Sequence, residues 1–198
     1  MSRISVTRID DFEVLVGSEA LTLSLDSFAC PLNEEVEDFL KNKARQATLL
    51  NSSITYLVVD EEHAELLGYF TLVIKPFTVL DEKLSSKNRR LISRFAEKNP
   101  RTGDYTAAIY LIAQLGKNFN VPENLMISGS DILALALREL SAAQHIVGGK
   151  LVMVERESDR PKLLTFYQTN GFKSWNLRLD ENDGVTYDQM IRVLERVA

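Results

Sequence analysis

The run "TAAIYLIAQLG", residues 106–116, is the most apolar stretch of the chain and limits what the chain can become. It is too short to cross a bilayer, which takes about 20 apolar residues. A near-continuous apolar run of this length suits a strand covered on both faces, so it predicts a central strand of a buried sheet. The polar loop "KNFNVPENLM" follows, and then "ISGSDILALALREL" (127–140) sets one glycine and two serines ahead of apolar residues at helical spacing. That punctuation predicts a helix over about residues 129–145.

The rest of the chain arranges itself around this pair. "FACPLNEEVEDFLKNKARQATLL" opens with Pro31 and spaces Leu32, Val36, Phe39, Leu40 and Ala44 for one helical face, with Asn33, Glu34 and Glu35 at its positive end. "SITYLVVD" (53–60) and "LLGYFTLVIK" (66–75) predict an antiparallel hairpin across a charged turn. "LSSKNRRLISRFAEKN" (84–99) has Leu84, Leu91, Ile92 and Phe95 at helical spacing before Pro100. "GGKLVMVERE" (148–157) predicts a strand. "SDRPKLLTFYQTNG" (158–171) predicts a helix with an N-cap serine, an early proline and a terminal glycine. "GFKSWNLRL" and "YDQMIRVLER" predict two further strands, the second also compatible with a helix. A strand–helix–strand unit in the second half implies a parallel or mixed sheet covered by helices, an α/β or α+β fold.

Composition narrows the functional classes. Hydrophobic residues make up 45% and charged residues 26% of 198, which is globular and long enough to bury a core. A net charge of -5 weighs against a protein whose whole surface grips nucleic acid. Cys30, the one cysteine, has no internal disulfide partner and suits a reducing cytoplasm, the expected location. "MSRISVTRIDDFEVLV" is broken by Arg3, Arg8, Asp10, Asp11 and Glu13, so no secretory core is expected there, nor any membrane span. One domain over residues 1–198 is expected, carrying an inserted basic helical segment at 76–105.

A helix start exposes backbone N–H groups and partial positive charge, so Ser128, Gly129, Ser130, Asp131 and Ile132 form a turn that can meet phosphate oxygens. The same residues also make an ordinary cap, and Asp131 stabilises the helix while repelling phosphate. The order of elements, with "FYQTNGF" (166–172) near the end, resembles the GNAT superfamily of acyl-CoA-dependent N-acyltransferases. The resemblance runs from about residue 28 to the end. "FACPLNEEVEDFLKNKA", "TYLVVD" and "LLGYFTL" are similar to its toxin-type acetyltransferase branch. Of the family's pyrophosphate-loop pattern, the aligned Asn124, Ile127 and Gly129 keep only the last glycine.

The resemblance implies a mixed, mostly antiparallel sheet flanked by helices, and acetyl-CoA as cosubstrate for acetylation of a primary amine. It implies that Gln114, Leu115 and Gly116 offer backbone groups to the pantetheine arm, and that Arg160 stands where relatives touch the cofactor. It implies Tyr167 near the cofactor sulfur, where a phenol can protonate a departing thiolate. The alternative for Tyr167 is an aromatic pair with Phe166 in the core. Glu155, at a strand end, is the candidate general base; the alternatives are a solvated strand-end carboxylate, a water relay or an amine that arrives neutral. Homodimers are common in the family. His63 and His145 lack partners at metal-ligand spacing, so no metal is expected.

Lys83, Lys87, Arg89, Arg90, Arg94, Lys98 and Arg101 face only Glu97 in the stretch from 83 to 101. This is either the solvated face of an inserted helix or a basic rim for an anionic acceptor such as an aminoacyl-tRNA. A free small amine and a protein N-terminus stay open as acceptors. So does a non-catalytic GNAT-like binding or regulatory module, which would share the altered loop.

Overall fold

The computed structural model describes residues 3–181 and 184–195, apart from the side chain of Lys83. In chain order the elements are β1 (Ile4–Arg8), α1 (Ile9–Val16), α2 (Ser18–Asp26), α3 (Glu34–Asn42), α4 (Ala44–Leu49), β2 (Ile54–Asp60) and β3 (Glu65–Leu80). There follow α5 (Ser86–Ile92), β4 (Asp104–Lys117), α6 (Gly129–Val147), β5 (Leu151–Glu157), α7 (Pro161–Thr169), β6 (Lys173–Leu179) and β7 (Thr186–Val193). The strands form one sheet in the order β1-β2-β3-β4-β5-β7-β6. β4 and β5 run parallel, with Tyr110 opposite Val152, while β1–β2, β2–β3, β5–β7 and β6–β7 are antiparallel. The last segment of the chain is therefore a strand, not a helix; Arg196, the final residue of its expected span, lies outside the described residues.

Where the sequence suggests one domain with an insert, the chain divides into two compact units, residues 1–73 with 112–139 and residues 74–111 with 140–198. Segment 76–105 is thus part of the second unit.

The core of the first unit joins Ile9, Leu21, Leu25, Phe28, Leu40, Leu57 and Tyr69, all nearly or wholly buried, with Cys30 among them. α3 forms because Asn33 accepts from the amides of Glu35 and Val36 and because Val36 and Leu40 fall on one buried face. Asn118, fully buried, ties three segments together: its Oδ1 accepts from Ala29 and Asn120, and its Nδ2 donates to Leu66 O at 2.7 Å. Buried amides satisfied this completely hold loops as firmly as strands.

In the second unit, β4 departs from the expected burial on both faces. Tyr105, Ala107 and Ile109 alternate with exposed Thr106 and Ala108, and only Ile109–Ile112 is buried continuously. The predicted helix over 84–99 ends at Ile92. The reason is local: Lys98 bridges Tyr105 and the Asn99 amide donates to Asp104 O, so these residues build the turn into β4. α7 also differs in its start, where Arg160 replaces Ser158 at the N-cap and supplies no side-chain bond.

Candidate functional site

In the first unit, the end of β4 meets the start of α6. Gln114 and Leu115 are half-buried and Gly116 is buried. A Cβ on Gly116 would lie 2.6 Å from the Tyr69 ring and 2.7 Å from Val36, and one on Gly68 would lie 2.6 Å from both Gly116 O and Ile132 Cδ1. Two glycines thus let β3, β4 and α6 approach at backbone distance. Ile132, fully buried, is a packing residue here rather than a contact for a ligand.

Ser128 and Asp131 close a reciprocal cap. The Ser128 amide and hydroxyl donate to Asp131 Oδ2 at 2.8 and 2.7 Å, and the Asp131 amide donates back to Ser128 Oγ at 3.1 Å. The Ser128 hydroxyl, then its amide, hold the Asp131 carboxyl below the usual carboxylate range. Ser130 is exposed, and the half-buried Gly129 has an amide with no partner among the described residues. The helix start therefore accepts anionic oxygen, because it already holds one. The Gly129 amide is the donor left open there for a further anionic oxygen, next to the Ser128 donors that Asp131 engages.

The second unit carries the expected acid and base. Tyr167 is 9% exposed and lies edge-on to Phe166 and Phe172, with ring centroids 5.0 and 5.7 Å away. Its hydroxyl bonds to no described residue, and burial pushes its pKa up to about 12. Such a phenol is both an aromatic core member and a group that keeps its proton at neutral pH.

Glu155 does not stand free as a base. Gln189 Nε2 donates to it at 2.7 Å and Arg178 Nε at 3.2 Å. The candidate base therefore stands as the acceptor of two side chains from neighbouring strands. Arg160, which the resemblance places at a cofactor contact and which is otherwise a solvated helix-start arginine, pairs with Glu157 at 2.6 Å where α7 begins.

The second unit also holds a cleft of about 920 Å³. Lys87, Arg90 and Arg94 line it from the segment of α5, Lys173 from β6 and Arg192 from β7, against Glu195. None of these five cations makes an ion pair among the described residues. Of the other cations of this unit, Arg89 and Lys98 pair with Asp81, Arg156 with Asp188, Arg160 with Glu157 and Arg178 with Glu155 and Asp180, whereas Lys75, Arg101, Lys150 and Lys162 also make no ion pair among the described residues. The sequence pointed to the α5 cations but not to Lys173 and Arg192, which only strand pairing brings to the same wall. Among the described residues, no group of three or more His, Cys, Asp or Glu is placed to hold a metal, and no helix is long and apolar enough to cross a membrane.

No family model matches the chain, and no curated protein does. Solved structures are similar to it. One is described as a bacterial toxin, covering 98% of this chain and 92% of its own at TM-score 0.66 and 13% identity. A tyrosine-to-phenylalanine variant of KacT covers 94% and 95% at TM-score 0.62 and 19% identity. AtaT complexed with acetyl-methionyl-tRNAfMet covers 93% and 94% at TM-score 0.61 and 19% identity. The chain has the GNAT fold. In GNAT terms, the sheet is the mixed, mostly antiparallel one that the resemblance implies, with helices flanking it.

Proposed function

We propose that the protein is an acetyl-CoA-dependent N-acetyltransferase of the cytoplasm, acting on a primary amine. The observation that carries this reading is the start of α6, where backbone and hydroxyl donors already seat an anionic oxygen. The GNAT fold supports it, as does a solved structure of AtaTR bound with acetyl-CoA.

Acetyl-CoA would supply an activated acetyl thioester. The Gly129 amide and the positive end of α6 would hold its diphosphate, and the backbone at Gln114 and Leu115 would take the pantetheine arm. In the second unit, the Tyr167 phenol is the candidate to protonate a departing thiolate as a C–S bond breaks and the new C–N bond forms. With Glu155 engaged by Arg178 and Gln189, the amine would enter neutral, and the N–H proton it loses as the C–N bond forms would pass to water, from which the Tyr167 phenolate is reprotonated. Tyrosine-to-phenylalanine variants of KacT and AtaT among the similar structures single out a tyrosine in those proteins.

The basic cleft favours an amine carried on RNA over a free small amine. Five unpaired cations on one wall of a chain with net charge -5 suit a phosphate backbone, and AtaT is found with an acetylated aminoacyl-tRNA. One contact favours a second reading, a non-catalytic module: the Asp131 carboxylate already takes the Ser128 amide, next in the chain to the Gly129 amide that a phosphate would need. The test is a melting shift. Acetyl-CoA and desulfo-CoA are each expected to raise the melting temperature of the wild type and to fail with Gly129→Asp. No shift in the wild type would favour the module.

A further inference from the structure

Within the second unit, one ion pair is almost sealed from solvent. The Arg156 and Asp188 side chains are 5% and 4% exposed, and Arg156 Nη2 donates to Asp188 Oδ2 at 2.8 Å. Ser174 Oγ, from β6, donates to the same oxygen at 2.8 Å. Arg156 Nε and Asp188 Oδ1 are buried with no hydrogen-bond partner. A buried pair that leaves one donor and one acceptor unmet is a poor stabiliser, and well-packed apolar side chains would hold the strands as firmly. Stability alone does not account for it.

The other nitrogen of the guanidinium suggests what does. Arg156 Nη1 donates to the carbonyls of Glu157, Ser158 and Arg160, at 2.9, 3.3 and 3.3 Å. Those are the oxygens of the turn that launches α7, and Arg160 O is also where the amides of Leu163 and Leu164 begin the helix. α7 has no side-chain cap of its own. At the far end of α7, Arg192 Nη1 donates to Asn170 O at 2.8 Å. Tyr167 lies between these two arginine contacts.

We propose that Arg156, held in place by Asp188, is a positioning residue that fixes the turn before α7 and thereby sets where the Tyr167 phenol stands. The unmet Nε and Oδ1 follow from that task. Turning the guanidinium to meet Asp188 with both its Nε and Nη2 would draw Nη1 away from the turn. The functional weight of this placement rests on the acid role proposed for Tyr167; the placement itself can be tested without it.

The experiment compares wild type, Arg156→Lys, Asp188→Asn and the apolar double variant Arg156→Met with Asp188→Leu. Carbon-13 label in the tyrosine rings, with Tyr167 assigned through Tyr167→Phe, follows the phenol titration, and melting is recorded in parallel. In the wild type the phenol stays protonated to about pH 11; in both single variants its midpoint falls toward about 10 as water reaches the ring. The double variant recovers the melting temperature but not the midpoint. A midpoint that stays put in the single variants, or returns with the melting temperature in the double variant, overturns the proposal.

Turnover separates the two claims. Arg156→Lys is expected to lower acetyl transfer about a hundredfold, as a misplacement of about 1 Å does, and to add nothing in a Tyr167→Phe background. An equal loss in both backgrounds makes Arg156 structural only. A fully active Tyr167→Phe removes the acid role and leaves the titration result standing.

Discussion

Asp131 carries two roles whose signs oppose. As part of the Ser128 cap it secures the start of α6, and as an anion next to Gly129 it would repel a diphosphate held there. Replacing it with Asn keeps an acceptor and removes the charge. Asp131→Asn is therefore expected to bind acetyl-CoA about fivefold tighter in calorimetry, from about 1 kcal/mol less repulsion, while melting slightly lower. Weaker binding would mean that the carboxylate assists the ligand. Tyr167 gives a second prediction. Because burial pushes its pKa up to about 12, it stays a proton donor at neutral pH, and its ionisation does not reduce kcat as pH rises to about 10. Tyr167→Phe is expected to lower kcat about a hundredfold while leaving the acetyl-CoA melting shift intact. At this scale the Ser128–Asp131 cap was readable from spacing, because its partners are three residues apart. The engagement of Glu155 was not, because Arg178 and Gln189 lie far along the chain and reach it only through strand pairing.

Among the elements, α6 and the β2–β3 hairpin were legible because their signals are local: apolar spacing, turn residues and glycine stops. Gly148 ends α6 at φ 76° with its amide on Gln144 O, as the sequence punctuation suggested. α5 shows the limit. Apolar spacing runs on to Phe95, yet pairing of Lys98 with Tyr105 takes the following residues into a turn. β1, α1 and α2 were not announced, because short elements with exposed apolar residues such as Val14 and Leu15 blur the amphipathic pattern. The cleft yields a prediction of its own. A single-stranded RNA of about 12 nucleotides, followed by fluorescence anisotropy, is expected to bind with a slope of about -3 to -4 in log K against log salt if all five cations engage phosphates. Arg94→Glu with Lys173→Glu should abolish that binding and leave the acetyl-CoA melting shift unchanged. A salt-independent complex would remove the cleft from the acceptor site.

For the whole molecule, the titrating groups predict a stability plateau. Lys43 holds the Asp38 carboxyl low, Lys98 and then Arg89 hold Asp81 low, and the Cys30 amide followed by Lys41 holds Glu37 low. Groups lowered on folding stabilise above their unfolded pKa near 4, and that contribution is lost as pH falls through the folded values. Burial raises the phenols of Tyr56, Tyr69, Tyr110 and Tyr167, whose contribution is present below about pH 10 and lost as pH climbs past it. Melting temperatures are expected to be flat between about pH 5 and 9 and to fall on both sides. A maximum confined to acid pH would contradict this. The division into two units was not visible in the sequence, since β3 and β4 each pass from one unit to the other without a break in pattern. The sequence by itself determined a mixed sheet covered by helices, the glycine-led helix and the order of elements from α3 onward, apart from the break between α3 and α4, because these depend on spacings of a few residues. Only the tertiary structure decided which carboxylates are engaged, which cations are left unpaired around one cleft and which guanidinium braces α7. Those are pairings between distant segments, and strand register, not local propensity, selects the partners.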